Sequence, residues 1–175
     1  MIVTPTSFKI LVIVALGVAG ASWDVSTRRV PNALTFGATA LAFVFSAMHG
    51  GWVELLSSTQ GCMMGLVLLF PLFALGGMGG GDVKFIATFG AWLGPIGVVW
   101  TAMWAALIGG GMALAMAASR GYLRQALRNV GVLIGVWRTQ GVGPVPGLTL
   151  ADAAGPRLAY AVPIAVGAMV ALWRV

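Results

Sequence analysis

Residues 76–85 read GGMGGGDVKF, and this stretch decides how the chain has to be organised. Five glycines around one methionine pack no core and make a poor helix, because glycine tolerates positive φ and leaves room for other groups to approach the backbone. The run ends in Asp82 and Lys84 and lies between two strongly apolar segments, 61–75 and 85–93. Asp82 belongs to a set of only 4 acidic residues among 175. A broken backbone carrying a rare acid between apolar runs marks a place where main chain and carboxyl meet something else.

Those runs are part of a chain that is 59% hydrophobic and 8% charged, with mean hydropathy +0.98. Such a chain cannot hide its apolar surface in a water-soluble core, so the composition implies an all-α, polytopic inner-membrane helical bundle. Outer-membrane barrels need apolar residues at period 2, whereas these runs are continuous and rich in Gly and Ala, as in packed membrane helices. The net charge of +6 does not call for a nucleic-acid partner. Most basic residues flank apolar spans, which is the signature of membrane topology. The single cysteine, Cys62, allows no intramolecular disulfide and no cysteine cluster for zinc.

The expected organisation is one membrane-embedded domain over 1–175 with about six spans, near 8–23, 33–48, 61–75, 83–93, 96–118 and 158–173. A short outer loop is expected at 49–60, and the glycine-rich break precedes helix four. Arg28 and Arg29 follow the first span and place that end in the cytoplasm against a single Lys9 at the other, so the N-terminus is outside. Helix four, from about 83 to 93, spans only about 17 Å against about 30 Å of hydrocarbon. If the glycine run dips into the bilayer the mismatch is relieved, and Asp82 lies below the surface. Arg120, Arg124 and Arg128 recur at i, i+4, i+8 beside Leu123, Leu127, Val130 and Ile134, which predicts a helix over 119–137 lying in the cytoplasmic interface.

This topology brings Asp24 and Asp82, half of all the acids, to one side of the bilayer. A carboxyl near hydrocarbon is costly and is a functional hypothesis by default. Two together share a proton and offer one acid and one base, which is what activating water against a peptide carbonyl requires. No histidine, cysteine or serine is similarly placed.

The residues now carry a resemblance. GGGDVK at 79–84 is similar to the GxGD motif of intramembrane aspartyl proteases, and DVSTRRVPN at 24–32 resembles the first motif of the type IV prepilin peptidase family. RLAYAVPIA at 157–165 resembles that family's final-helix motif. The resemblance implies that Asp24 and Asp82 are the catalytic pair of an aspartyl endopeptidase, which cuts prepilin leader peptides on the cytoplasmic side, and that no cofactor or metal is needed. Its partners are then a prepilin substrate, the lipid bilayer and other pilus assembly proteins. Larger family members carry a cytoplasmic insert with paired cysteines and also methylate the new N-terminus. This chain has neither insert nor pair, so it resembles the short form of tight-adherence (Flp-type) pili, and methyltransferase activity is not expected.

The remaining candidates keep two readings each. Gly79 and Gly81 allow an extended substrate to lie beside Asp82. Lys84, Arg28 and Arg29 either meet a substrate carboxylate or acidic lipid, or serve as plain positive-inside anchors. Asn32 either hydrogen-bonds near Asp24 or ends the turn after Pro31. Asp152 is read as capping a turn, and residues 109–111, GGG, as close helix packing or a hinge. Two alternatives use the same acids differently: a small proton-coupled carrier, or a non-catalytic subunit of a pilus machine.

Overall fold

The computed structural model describes residues 4–150 and 158–173, and these residues contain helices and turns but no strand. α1 (Pro5–Thr27) starts where a proline's missing N–H costs nothing, and Thr4 caps it by accepting the Ser7 N–H at 3.2 Å. It stops at Arg28, which adopts the left-handed conformation (φ 56°) and donates its N–H to the Asp24 carbonyl at 2.8 Å.

α2 (Asn32–Ala74) has 43 residues. Straight, it would run about 65 Å, twice the hydrocarbon thickness. It bends at Gly51, whose φ of 60° and ψ of −146° leave the helical region. Its two arms then lie side by side on α3 (Gly80–Ser119): Thr35 bonds to Thr88, and Gly65 touches the backbone of Ala87. The arm 32–50 runs parallel to the start of α3, with Thr35 beside Thr88 and Ala38 beside Trp92. The arm 52–74 runs opposite, with Gly61 against Gly90 and Gly65 against Ala87. The loop expected at 49–60 is therefore corrected to a turn at one residue. Positive φ at Gly51 reverses the chain without interrupting the helical hydrogen bonding of either arm for long, so the arms extend past 48 and begin before 61.

α3 repeats the device at Gly94 (φ 73°, ψ −178°), and Pro95 opens its second arm. The first arm, 80–93, is the centre of the molecule. Residues 85–93 are buried on every face, with Phe85, Ile86 and Phe89 fully so. Contacts between small residues let its neighbours approach. A Cβ on Gly61 or Gly90 would collide with the other's carbonyl, and one on Gly20 of α1 would strike the Phe85 ring. Such packing is how apolar helices associate where lipid removes the hydrophobic drive. The second arm, 95–119, runs antiparallel to α5 (Ala161–Ala171), where a Cβ on Gly167 would stand 2.7 Å from the Thr101 carbonyl oxygen. α5 also flanks α1, through Ala165 and Met169 beside Gly17.

Among the described residues, α1, α2 and α3 are the three helices long and apolar enough to cross a membrane, and α5 is a shorter apolar helix. Leu11, Val18, Phe36, Val67 and Leu107 are exposed on the outside of the bundle, the surface of a protein whose solvent is hydrocarbon. α4 (Leu123–Gln140) begins a few residues later than expected, after a turn at Gly121 (φ 74°), and buries none of its residues.

Candidate functional site

The bundle has two polar ends. At one, Lys9 meets Glu54 at 3.3 Å beside the turn at Gly51. Two cavities of about 220 and about 310 Å³ open there, both lined by Lys9, Ser46 and Glu54. The other end gathers the last turn of α1, the glycine run, and the first turns of α3 and α5. Asp24 and Asp82 lie there together, and Asp24 is near enough for its charge to act on the Asp82 carboxyl.

Asp24 is 6% exposed, on the inner face of the last turn of α1. The buried face of that helix runs through Ile13, Leu16, Gly17, Gly20 and Asp24, at spacings of three and four, so helical periodicity alone directs the acid inward. Its Oδ2 accepts the Ala161 N–H at 3.1 Å. That amide belongs to the first residue of α5, whose free N–H groups and dipole favour an anion. A buried carboxyl thus obtains a donor from backbone, and α1 is tied to α5.

Asp82 stands in the first turn of α3, where an acid also complements the dipole. Its own N–H donates to the Gly79 carbonyl at 3.1 Å, and a Cβ on Gly79 would lie 3.3 Å from Asp82 Oδ2. Any larger residue at 79 would crowd the acid. Gly81 does something else: it faces Val30 in the α1–α2 connection, with a would-be Cβ 3.6 Å from the Val30 N. Gly76 (φ 75°) turns beneath Thr149, and its carbonyl accepts the Leu150 N–H at 2.7 Å. The break expected from the glycines is present at 75–79, but Gly80 and Gly81 are already helical.

The cations and Asn32 are placed differently from the acids. Lys84 donates to Asn32 Oδ1 at 3.0 Å and lies 5.2 Å from the centre of the Phe36 ring. Of the two readings for Asn32, the structure therefore gives a third outcome, a tie from the start of α2 to α3. Thr88 extends it, accepting from Thr39 at 3.0 Å and donating to the Thr35 carbonyl at 3.2 Å. Arg28 and Arg29 are exposed on the connection. Asp152 and Arg157 lie outside the described residues. Of the triple glycine, Gly109 packs closely and Gly110 and Gly111 face open space.

Two groups escaped sequence reasoning. One is the Ala161 amide, which no side chain advertises. The other is Tyr160, just before α5, whose ring lies against Gly109 and whose hydroxyl donates to the Ala105 carbonyl at 3.4 Å. The Asp82 carboxyl is close enough for its charge to act on that hydroxyl. The only signal for Tyr160 was its place in RLAYAVPIA.

The acids are recessed. α3 continues from Gly109, level with Tyr160, to Ser119, which is about 15 Å of further helix. Chemically, the arrangement is a pair of interacting carboxyls with backbone donors, beneath a rim of helix ends and beside an irregular glycine backbone.

A family profile described as the type IV leader peptidase family matches residues 10–114, which include both acids. A curated relative, the prepilin leader peptidase/N-methyltransferase of Neisseria gonorrhoeae, is 37% identical over 78 residues. The match covers 41% of this chain and 27% of the relative, so the chain corresponds to little more than a quarter of that protein's length. No solved structure matches the chain.

Proposed function

The chain belongs to the type IV leader peptidase family, and from that premise we propose that it is a membrane-embedded aspartyl endopeptidase removing the leader of Flp-type prepilins at the cytoplasmic face. One observation carries the reading: a buried Asp24 at the end of α1 and Asp82 at the start of α3 converge at one end of the bundle and act on each other electrostatically. Two such carboxyls hold one proton between them. The ionised member takes a proton from water as the oxygen attacks the scissile carbonyl, and the protonated member gives its proton to the carbonyl oxygen. Collapse of the tetrahedral intermediate breaks the C–N bond, with the amine leaving protonated.

The substrate is met as an extended peptide in the recess beside residues 76–79, since a helical peptide hides its carbonyls from attack. Each helical arm is one of six spans whose directions alternate, with Asp24, Asp82 and α4 on the cytoplasmic side. α4 lies in that interface, its exposed Leu127, Val130 and Ile134 toward lipid and its arginines toward head groups. Co-expression with an epitope-tagged Flp-type prepilin tests the proposal. Leader removal, seen as a gel shift, is expected with the wild-type chain and absent with Asp82→Asn. Full processing by that variant would sink the reading.

A further inference from the structure

We propose that Tyr160 is a positioning residue for Asp24: its ring, seated in the notch left by Gly109, sets the first turn of α5 and with it the amide that holds the Asp24 carboxyl. The inference rests on the reading of Asp24 as half of the catalytic pair.

Three contacts connect the residues in series. A Cβ at position 109 would stand 2.7 Å from Tyr160 Cε2, 3.0 Å from Cζ and 3.1 Å from the hydroxyl oxygen, so the ring fills the space that glycine vacates. One turn earlier on the same face of α3, the Ala105 carbonyl accepts from that hydroxyl at 3.4 Å. At this length the bond contributes little, and ring shape decides the seat. The next residue is Ala161, whose N–H meets Asp24 Oδ2 at 3.1 Å in a buried setting.

The seam is stiff enough to transmit a displacement. Two turns into α5, Gly167 sits against the Thr101 carbonyl and the Ala105 amide, with would-be Cβ distances of 2.7 and 3.0 Å. α5 is therefore pinned to α3 at two heights, and shifting the Tyr160 ring tilts the helix about the Gly167 contact. The end that moves carries Ala161. Because this amide holds the Asp24 carboxyl and the charge of Asp24 acts on Asp82, a shift of the amide misplaces the pair relative to the substrate carbonyl. A displacement near 1 Å can cost about 10²-fold in rate. Tyr160 itself touches neither water nor substrate in this scheme.

The test uses the full-length protein purified in detergent, with a tagged Flp-type prepilin as substrate and initial rates measured over substrate concentration. Wild type and Asp24→Asn come first. Cleavage by wild type and none by Asp24→Asn establishes the premise, and equal cleavage by both would overturn premise and inference together. With the premise in place, Tyr160→Ala is expected to lose about 10–10²-fold in kcat, with KM changed by less than about twofold. Tyr160→Phe, which keeps the ring, is expected to recover most of that loss. Gly109→Ala should reduce kcat, and Tyr160→Leu added to it should restore part, so that the two changes are strongly non-additive. Unchanged kcat in Tyr160→Ala overturns the proposal. So does a loss confined to KM, which marks a substrate contact, or a Tyr160→Phe variant as poor as Tyr160→Ala, which marks direct action by the hydroxyl. Should Tyr160→Ala fail to insert, the Gly109→Ala and Tyr160→Leu cycle decides alone, additive losses counting against the proposal.

Discussion

At the scale of single residues, the two acids differ in how they are held although each carboxyl lies at a helix N-terminus, that of α5 for Asp24 and that of α3 for Asp82. Asp24 belongs to α1 but takes its donor from α5, and Asp82 begins its own helix. Under the proposed mechanism, replacing either carboxyl by an amide removes the shared proton while keeping shape. Asp24→Asn and Asp82→Asn are each expected to lower the initial rate of leader removal by about 10²–10⁴-fold, the usual contribution of a general acid or base. The double variant should be hardly worse than either single one, because the pair works as a unit. Losses that multiply would show that the acids act separately. The Lys84 tie calls for a stability readout. Lys84→Met leaves Asn32 without its donor and is expected to cost about 1 kcal/mol, seen as a lower thermal midpoint in detergent.

At the scale of elements, the molecule depends on a central arm buried on all sides and on two one-residue turns. The contact between Gly61 and Gly90 brings two backbones together with no side chain between. Gly90→Ala is expected to destabilise by about 1–3 kcal/mol through overpacking. Gly110→Ala, on a face with nothing within 4 Å, serves as its control and should stay within about 0.5 kcal/mol of wild type. Gly94→Ala needs φ 73° and would set its Cβ 3.0 Å from the Ser57 hydroxyl oxygen, so about 1–2 kcal/mol of backbone strain is expected there, with crowding added to it. If thermal melts ranked Gly110→Ala below Gly90→Ala, the packing described around α3 would be wrong. The arms are largely legible: the apolar runs expected at 8–23 and 96–118 lie within α1 and α3, and the run expected at 61–75 ends one residue past α2. The turn at Gly51 was not, because His49, Gly50 and Gly51 look like an ordinary polar loop and nothing local shows that the helix resumes at once.

At the scale of the whole molecule, the separation of the Asp24–Asp82 end from the Lys9–Glu54 end fits a bilayer between them. In a Cys62→Ser background, Ser26→Cys is expected to react with a membrane-impermeant maleimide only from the cytoplasmic side, and Val53→Cys only from the other. Labelling of both from one side would refute the six-span arrangement. Composition alone was enough to require a membrane, since 59% hydrophobic residues cannot be buried in a chain of this length. Local chemistry was enough to locate the break at the glycines and to single out Asp24 and Asp82, because charge near hydrocarbon is costly and therefore conspicuous. Which ends meet was decided only by tertiary packing. Asp24 reaches the Ala161 amide, and Tyr160 the Gly109 notch, through helices distant in sequence that glycine contacts allow to close. A backbone N–H has no side chain to betray it, and a small residue opposite a ring is indistinguishable in sequence from one facing lipid, as Gly109 and Gly110 demonstrate.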